Sequence, residues 1–396
     1  MKRPLDVARR LQATLLICGV DFGWGSAGKL ESILRVLINR CGYDLKLVVL
    51  GTSLGRPVLG DLPVEAWYER EPLLLDRVRV IIDRHQVTAA LVVLDPEVAS
   101  AIERAGCPTV YVDSLPYLWT EHDPIPSEVT IYAAQLCDSI PWPAWQPLRR
   151  VRHLHWVEGI TTTREKSQRT CRPGLAVVSF GGLHSPLSTS GNRPYPKLVL
   201  MPALQTLVRA GYTLIEVCGN MQDFDEIGMD KAMVDSLPAA IHMAPRSHAA
   251  FLDLLEQAEL LVCSPGLTTL IEAGCRSVPT VCLPPQNLSQ ILNSDRFAAH
   301  VDPDCRVPWP RKVLDLSAVE CLRLQGEEAA VSFIYASLEQ ALAEAPAVWR
   351  ELEERLTLAL ARARQRKEWD GLVSLVGTRG AEQVAAFCAQ ILSGWK

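Results

Sequence analysis

Residues 23–30, GWGSAGKL, contain two phosphate-binding patterns within eight positions. Gly23, Gly25 and Gly28 form G-x-G-x-x-G after an apolar run that predicts a first strand, which is the context of a dinucleotide-binding turn. Gly23, Gly28 and Lys29 also form G-x-x-x-x-G-K, although Leu30 stands where a P-loop carries its Mg²⁺-binding Ser or Thr. A plain strand-to-helix turn that uses the conformational freedom of glycine is a third interpretation. These eight residues alone leave all three open.

A second pattern, SPGLTTLIEAG, follows an apolar run in the second half of the chain. It predicts a buried strand, a turn from Ser264 to Gly266, and a helix whose first turn carries Thr268 and Thr269. Free backbone N–H groups and the positive end of the dipole bind anions at a helix start, so we expect a diphosphate there. Glu272, one to two turns further on, is placed to accept hydrogen bonds from a ribose diol. The alternative is that Ser264 merely caps the helix.

Two more polar turns follow predicted strands of the same half. Gly181 and Gly182 end its first strand in VVSFGGLHSP, and LPPQNLSQ follows the strand after the phosphate helix. Open α/β sheets bind ligands at the carboxyl ends of their strands, and side-chain amides both donate and accept hydrogen bonds, which suits sugar hydroxyls. We therefore expect the turns to form one site, with sugar-binding amides at Gln286, Asn287 and Gln290.

The elements that must position these turns alternate in two similar halves. From residue 14 to about 115, short apolar runs alternate with amphipathic stretches, the first of which predicts a helix from Lys29. The alternation resumes near residue 174 after a polar linker. This alternation is typical of parallel sheets with crossover helices. Residues 114–150, with many Pro and aromatic residues, predict long loops. We predict an α/β protein with a first domain at 1–165, a second at 174–378 and a final helix within 379–396.

The composition predicts an ordinary globular protein. Its 396 residues suffice for two domains with filled cores, and 48% are hydrophobic and 21% charged. The formal net charge of −5 creates no field that would attract nucleic acid or acidic membranes. The 12 cysteines form no C-x-x-C, which favours free thiols in a reducing cytoplasm. Apolar runs are too short for a membrane span or a signal-peptide core, so we expect a soluble cytoplasmic protein that binds neither nucleic acid nor membranes.

The segment SPGLTTLIEAG, followed by PTVCLPPQNLSQ, resembles the nucleotide-sugar half of the GT-B glycosyltransferases, which include MurG-type and plant-type UDP-sugar transferases. The resemblance extends over nearly the whole chain. It implies two facing Rossmann-like domains, with the acceptor bound mostly by the first and a UDP-sugar donor mostly by the second. It also implies that the C-terminal helix crosses back to the first domain.

The resemblance assigns roles to the residues of the second half one by one. Gly266, Thr268 and Thr269 match the diphosphate-binding turn, Glu272 the ribose acid, and Gln286 with Gln290 the sugar-binding amides, beside Gly181, Gly182, Ser264 and Asn287. The segment around Met243 matches the stretch whose backbone meets the base.

The same resemblance reinterprets the opening motif. In this fold the glycine-rich loop after the first strand faces the donor across the cleft, which makes donor-binding candidates of Gly25, Ser26, Gly28 and Lys29. A dinucleotide site expects an acid at the end of the second strand, whereas LKLVVLGTS ends in Gly51 and Thr52. The P-loop interpretation lacks its hydroxyl at Leu30.

More narrowly, DFGWGSAGKL resembles the N-terminus of the cytosylglucuronate synthases, which join cytosine to glucuronate from UDP-glucuronate in nucleoside antibiotic pathways. This resemblance rests on one short motif and on the general character of the second half. It implies an inverting transfer, in which a base removes the acceptor's proton while hydrogen-bond donors and a helix end stabilise the leaving UDP. If the protein supplies those donors, neither a divalent metal nor another cofactor is required.

Two carboxylates at the ends of predicted strands are candidate bases. Asp21 follows the first strand and Asp113 ends the run TVYVD. Partial burial would raise the pKa of either carboxyl and suit it to this task. Asp21 is the first choice and His122 the third, after Asp113. Each aspartate is alternatively a capping or turn residue.

The remaining candidates are cations and aromatic rings. A glucuronate carboxylate requires a cation, and aromatic side chains stack on a flat acceptor or pack in the core. The candidate cations are Lys29, Arg193, Lys197 and Arg246, with Lys29 and Arg193 preferred, and the candidate aromatic residues are Phe22, Trp24, Tyr117 and Trp119.

Three alternatives stay open. The chain can be a UDP-sugar transferase that acts on a hydroxyl of another small molecule, or a UDP-sugar 2-epimerase, since these share the two-domain architecture. A sugar-binding relative without activity would keep Glu272 and the glycine turns. The sequence does not indicate an oligomeric state.

Overall fold

Two parallel β-sheets form the frame of the protein. The computed structural model describes residues 11–20, 22–40, 43–51, 53–69, 75–162, 169–184, 194–221 and 223–394. Within these ranges, the first sheet contains β1 Leu11–Gly19, β2 Tyr43–Leu50, β3 Val64–Tyr68, β4 Ala89–Val93, β5 Thr109–Asp113, β6 Ile131–Gln135 and β7 Leu154–Val157. The second sheet contains β8 Leu175–Gly181, β9 Leu214–Gly219, β10 Ala240–Ala244, β11 Leu260–Cys263 and β12 Thr280–Cys282.

Helices connect the strands and complete the C-terminal part. The first half has α1 Gly25–Arg40, α2 Arg56–Leu59, α3 Leu75–His85, α4 Pro96–Arg104 and α5 Trp142–Leu148. The second sheet is accompanied by α6 Pro194–Arg209, α7 Lys231–Asp235, α8 His248–Gln257, α9 Leu267–Cys275 and α10 Leu288–Val301. The chain continues with α11 Leu316–Arg323, α12 Glu327–Ala341, α13 Ala345–Gln365, α14 Gly371–Val376 and α15 Gly380–Leu392. Among the described residues, no helix combines the length and the apolar character that crossing a membrane requires.

The strand order places a switch point at the centre of each sheet. The first sheet has the order β3-β2-β1-β4-β5-β6-β7 and the second β10-β9-β8-β11-β12, with all neighbours parallel. The order of strands reverses between β1 and β4 and again between β8 and β11. Crevices at the carboxyl ends of such strands are where open α/β sheets bind ligands. The α/β class and the parallel sheets predicted from the sequence are confirmed.

The last helix returns to the first domain. Apolar side chains of α15, including Val384 and Cys388, pack in one buried cluster with β1 and α1. His155, on β7, also contacts Phe387 of α15, with 5.1 Å between the ring centroids. The crossing of the C-terminal helix is therefore confirmed. The first sheet ends at Val157 and the second begins at Leu175, while the finer domain boundaries stay a prediction.

Three strands and one helix start differ from the sequence-based expectation. β3, β6 and β7 were not expected as strands, and β6 lies within the segment predicted as long loops. β7 has only four residues and is partly exposed, so it lacks the continuous apolar run of a buried parallel strand. The run IYAAQ of β6 is fully buried and did carry that signal. The first helix begins at Gly25 rather than Lys29, which places Lys29 in its second turn.

Candidate active site

A cavity of about 250 Å³ lies between the two domains, at the carboxyl ends of both sheets. The residues after the switch-point strands line it: Gly23 follows β1, Leu94 follows β4, Gly181 ends β8 and Ser264 follows β11. Because the two switch points face each other, they share one cavity. Its wall contains nearly all of the predicted donor-binding residues: Gly25, Ser26, Gly28, Lys29, Gly181, Gly182, Ser264, Gly266, Thr268, Thr269, Glu272, Gln286, Asn287 and Gln290.

Two glycine turns touch across the cleft. A Cβ added to Gly182 would lie 2.5 Å from Cα of Gly23 and 2.6 Å from the backbone N of Trp24, closer than real Cβ atoms approach. Gly23 has a φ of +71° and Gly181 a φ of +66°, a conformation that favours glycine. The turn of the opening motif therefore faces the second domain, as the resemblance implies.

The start of helix α9 is open to the cavity. Its N-cap is Gly266, and no side chain of a described residue caps it. The alternative that Ser264 caps this helix does not hold, because its Oγ instead accepts hydrogen bonds from Nε2 of Gln286 at 3.1 Å and of Gln290 at 3.3 Å. The first N–H groups of the helix are thus left for a ligand.

Lys29 brings a positive charge from the first domain to this helix start. Its Nζ donates a hydrogen bond to Oγ1 of Thr268, in the first turn of α9. Burial lowers the pKa of Lys29 to about 8, and the negative charge of Glu272 offsets part of this effect. The ammonium group is therefore mostly charged at neutral pH and lies next to the open N–H groups. Such a group binds an anion such as a diphosphate.

Glu272 belongs to a buried charged trio that spans both domains. Nε2 of His248 lies 2.6 Å from Oε1 of Glu272, and Nδ1 lies 2.9 Å from Oε2 of Glu31 on α1. Burial disfavours the imidazolium, but the charges and hydrogen bonds of the two carboxylates outweigh it and raise the pKa of His248 to about 10. His248 is therefore protonated at neutral pH. Oε2 of Glu272 accepts no hydrogen bond from the described residues, so one oxygen is available to a ligand.

The predicted amide turn is buried and internally bonded. Nε2 of Gln286 donates to the carbonyl oxygen of Phe180 at 2.9 Å, and Oε1 of Gln290 accepts from the backbone N of Gln286 at 3.1 Å. Oδ1 of Asn287 accepts from the backbone N of Gln290 at 3.0 Å. These bonds fix the turn against β8 and the start of α9. The amides line the cavity with little remaining freedom, and their contact with a sugar stays a prediction.

The two predicted bases that the structure describes, Asp113 and His122, do not line the cavity. Asp21 lies outside the described residues. Asp113 is fully buried and is not among the described cavity-lining residues. Its Oδ2 accepts hydrogen bonds from Nε1 of Trp119 and the hydroxyl of Tyr132, both at 2.7 Å. Burial raises the pKa of Asp113 to about 6 although these bonds oppose the shift. The third candidate, His122, has a side chain that is 60% exposed, outside the cavity wall.

Three of the four candidate aromatic residues line the cavity: Phe22, Trp24 and Trp119. Tyr117 does not. Its hydroxyl donates to Oδ1 of Asn293, and the guanidinium of Arg296 covers its ring at 4.5 Å from the centroid. The expectation that Tyr117 stacks on the acceptor is therefore corrected, because its ring is enclosed where the first domain meets α10.

Among the candidate cations and the base-binding segment, some residues line the cavity and others do not. Arg246 lines the cavity and pairs with Glu216 at 2.6 Å. Lys197 and Met243 are absent from the described cavity wall, since Met243 packs on the core of the second domain. Arg193 lies outside the described residues. Arg246 and His248 are the cavity-lining residues that follow Met243 in this segment, and the base-binding role expected of the segment stays a prediction.

Two charged residues of the cavity wall were missed by the sequence analysis, namely His248 and Glu327. Each is the first residue of a helix, α8 and α12, and the N-cap Ser247 does signal the start of α8. No sequence signal shows that either helix start faces the first domain.

Across the described residues, no group of three or more His, Cys, Asp and Glu side chains is arranged to hold a metal ion, and the independence from metals stays a prediction.

Comparisons with known proteins give a family and a fold. The model of a family described as CGA synthase-related protein matches residues 72–329. A search of curated proteins by sequence found no match. Among solved structures, a Polygonum tinctorium UDP-glucosyltransferase that glucosylates indoxyl is 12% identical, with a TM-score of 0.53 and coverage of 97% of this chain and 99% of the other. A proposed UDP-N-acetylglucosamine 2-epimerase of Listeria monocytogenes is 12% identical, with a TM-score of 0.52 and coverage of 96% of each chain.

A third solved structure, Arabidopsis thaliana UGT89C1 complexed with UDP-L-rhamnose, is 11% identical, with a TM-score of 0.50 and coverage of 87% of this chain and 99% of the other. At these identities the similarities establish the fold alone. The chain has the two-domain GT-B fold.

Proposed function

Because the chain belongs to the CGA synthase-related family, we propose that it is an inverting glycosyltransferase that transfers glucuronate from UDP-glucuronate to cytosine. We take CGA in the family description to mean cytosylglucuronate, which is the product of this transfer. The family description therefore supports the proposal. The reaction requires a site for a nucleoside diphosphate, a cation for the uronate carboxylate and a pocket for a flat acceptor. Each requirement has a counterpart in the cavity.

The observation that carries the proposal is the uncapped start of α9 beneath Lys29. The helix offers backbone N–H groups, Thr268 offers a hydroxyl, and Lys29 adds a positive charge from the other domain. Charge develops on the diphosphate as the sugar leaves, and prepositioned donors of this kind stabilise it. We propose that they serve in place of a divalent ion, so that a chelator leaves the rate unchanged.

Glu272 suits the ribose of the donor, and Arg246 suits its glucuronate. The free oxygen of Glu272 accepts hydrogen bonds from the ribose hydroxyls, while its other oxygen remains with His248. Arg246 lines the cavity, and its buried Nε has no hydrogen-bond partner among the described residues. An arginine with an unused donor is suited to a carboxylate. We assign the glucuronate carboxylate to Arg246.

The acceptor is assigned to the first domain. Trp24 and Trp119 line that side of the cavity, and their N–H groups are bonded to the carbonyl oxygen of Leu54 and to Asp113. We propose that these rings contact the acceptor, which suits a flat heterocycle such as cytosine better than an aliphatic alcohol.

A ligand panel tests the donor class. We expect UDP-glucuronate to raise the melting temperature more than UDP and more than UDP-N-acetylglucosamine. A ligand at about 100 times its Kd stabilises the native state by about 2.7 kcal/mol. Stabilisation by ATP with Mg²⁺ or by NADH alone would overturn the proposal. Conversion of UDP-N-acetylglucosamine into its 2-epimer would favour the epimerase alternative instead.

A further inference from the structure

Glu327 is a carboxylate of the cavity wall that the proposed donor site does not use. It is the first residue of α12 and follows Gly326, whose φ of +127° favours glycine. It forms no hydrogen bond or ion pair with any described residue. The other carboxylate in the described part of the wall is Glu272, which His248 engages. Glu327 is therefore the carboxylate that remains free for chemistry.

The surroundings of Glu327 connect it with the acceptor side. Ser114, Leu118 and Trp119 of the first domain line the same cavity. Burial raises the pKa of Glu327 to about 7, and the negative charge of Asp123, in the same loop as Trp119, makes a smaller contribution. A base with a pKa near the working pH removes protons efficiently.

In the described structure, the cations on the helices that contact α12 do not pair with Glu327. On α11, the guanidinium of Arg323 donates to the carbonyl oxygen of Tyr117 at 3.1 Å and lies 3.5 Å from Glu320. On α10, Arg296 pairs with Asp138 at 2.9 Å. On α6, the ammonium group of Lys197 lies close to Gly228. Asp123 is thus the charged neighbour that acts on Glu327, and nothing in the described structure neutralises the carboxylate.

We propose that Glu327 is the base that accepts the acceptor's proton during transfer. The inference rests on the proposed function. A ring nitrogen of the acceptor forms a bond to the anomeric carbon, and the bond from that carbon to the UDP oxygen breaks. UDP leaves with the electron pair, and the N–H proton of the acceptor passes to a carboxylate oxygen of Glu327. Asp113, whose Oδ2 is occupied by Trp119 and Tyr132, is a positioning residue that holds the Trp119 ring.

Steady-state kinetics of Glu327→Gln with UDP-glucuronate and cytosine test the assignment. We expect kcat to fall at least about 100-fold, with the Kd for UDP-glucuronate within threefold of the native value. The matched control is Glu328→Gln, an exposed carboxylate one position along the same helix, which should leave kcat unchanged. The rise of the native rate with pH around 7 should disappear in Glu327→Gln. Added formate should restore part of the rate of Glu327→Ala, which a purely structural role would not permit.

The possible outcomes distinguish a failure of the base assignment from a failure of the proposed function. If the native protein transfers glucuronate and Glu327→Gln does so within threefold, the assignment of the base is overturned while the function stands. Loss of transfer in Asp21→Asn but not in Glu327→Gln would move the role to Asp21. If the native protein neither binds UDP-glucuronate nor consumes cytosine, the proposed function fails and takes this inference with it. Glu327→Ala without formate gives the same comparison should Glu327→Gln unfold at the assay temperature.

Discussion

Nδ1 of His248 in the second domain lies 2.9 Å from Oε2 of Glu31 in the first. The other ring nitrogen lies 2.6 Å from Glu272, so one imidazolium joins a carboxylate of each domain. The three side chains are each no more than 9% exposed. Buried charges are costly unless they are paired, and this pairing holds α1 against α8 and α9. The closure of the cavity therefore depends in part on His248.

Replacement of His248 by Gln should destabilise the protein. The change removes the cation that two buried carboxylates share, although Glu31 keeps its pair with Arg35. Breaking a buried ion pair from one side costs about 3–5 kcal/mol. Urea denaturation at pH 7 measures the difference. His122→Gln is the control, because this side chain is 60% exposed, and such a change costs less than about 0.5 kcal/mol. An equally small effect for His248→Gln would contradict the role of the trio.

The pH dependence of this difference follows from the pKa values. The folded-state pKa of His248 is about 10, above its ordinary 6.5, so its stabilisation is complete below pH 6.5 and is lost as the pH rises through 10. The pKa of Glu31 is lowered from 4.5: burial opposes this shift, but the bonds to His248 and Arg35 outweigh it. The contribution of Glu31 is therefore lost on acidification. Unfolding titrations should show the largest gap between native protein and His248→Gln at about pH 5–6.5. A gap that widens toward pH 10 would contradict the assignment.

Lys29→Met should weaken the binding of UDP. Hydrogen bonds to charged groups contribute about 1.5–3 kcal/mol, which corresponds to a Kd at least about 10-fold higher. Isothermal titration measures this directly. Lys197→Met is the matched control, since Lys197 is not part of the described cavity wall, and its Kd should equal the native one. Equal losses in both variants would indicate a general electrostatic effect rather than a specific contact.

Gly182→Ala should separate the two glycine turns. The new methyl group would lie 2.5 Å from Cα of Gly23, so one of the two backbones has to move. We expect a lower melting temperature and a Kd for UDP-glucuronate at least about 10-fold higher, because overpacking costs about 1–3 kcal/mol. Gly28→Ala is the stability control: its Cβ meets nothing within 4 Å, and alanine suits the helix interior better. A melting temperature of Gly182→Ala equal to the native one would show that the turns do not need this contact.

The sequence predicted the parts of the site that local rules determine. Gly266, Thr268 and Glu272 were found because a strand, a turn and a helix start follow one another in the chain. His248 and Glu31 are 217 positions apart, and neither stands out locally, so their contact depends on the packing of the domains. Glu327 was missed for the same reason.

Two errors show where local patterns fail. Tyr117 has the type and position of an acceptor-binding ring, yet a neighbouring helix encloses it. Met243 lies in the expected segment but packs on the core side of its strand. The contacts of Tyr117 depend on the packing of α10, and those of Met243 depend on the core of the second domain. Neither can be deduced from the neighbouring sequence.

The most direct test of the central claim is product analysis after incubation of the purified protein with UDP-glucuronate, cytosine and EDTA. Liquid chromatography with mass spectrometry follows both substrates. We predict that UDP and a cytosine–glucuronate conjugate appear in equal amounts and that both depend on cytosine. Unchanged cytosine and UDP-glucuronate after prolonged incubation, under conditions in which the protein binds UDP-glucuronate, would contradict the claim.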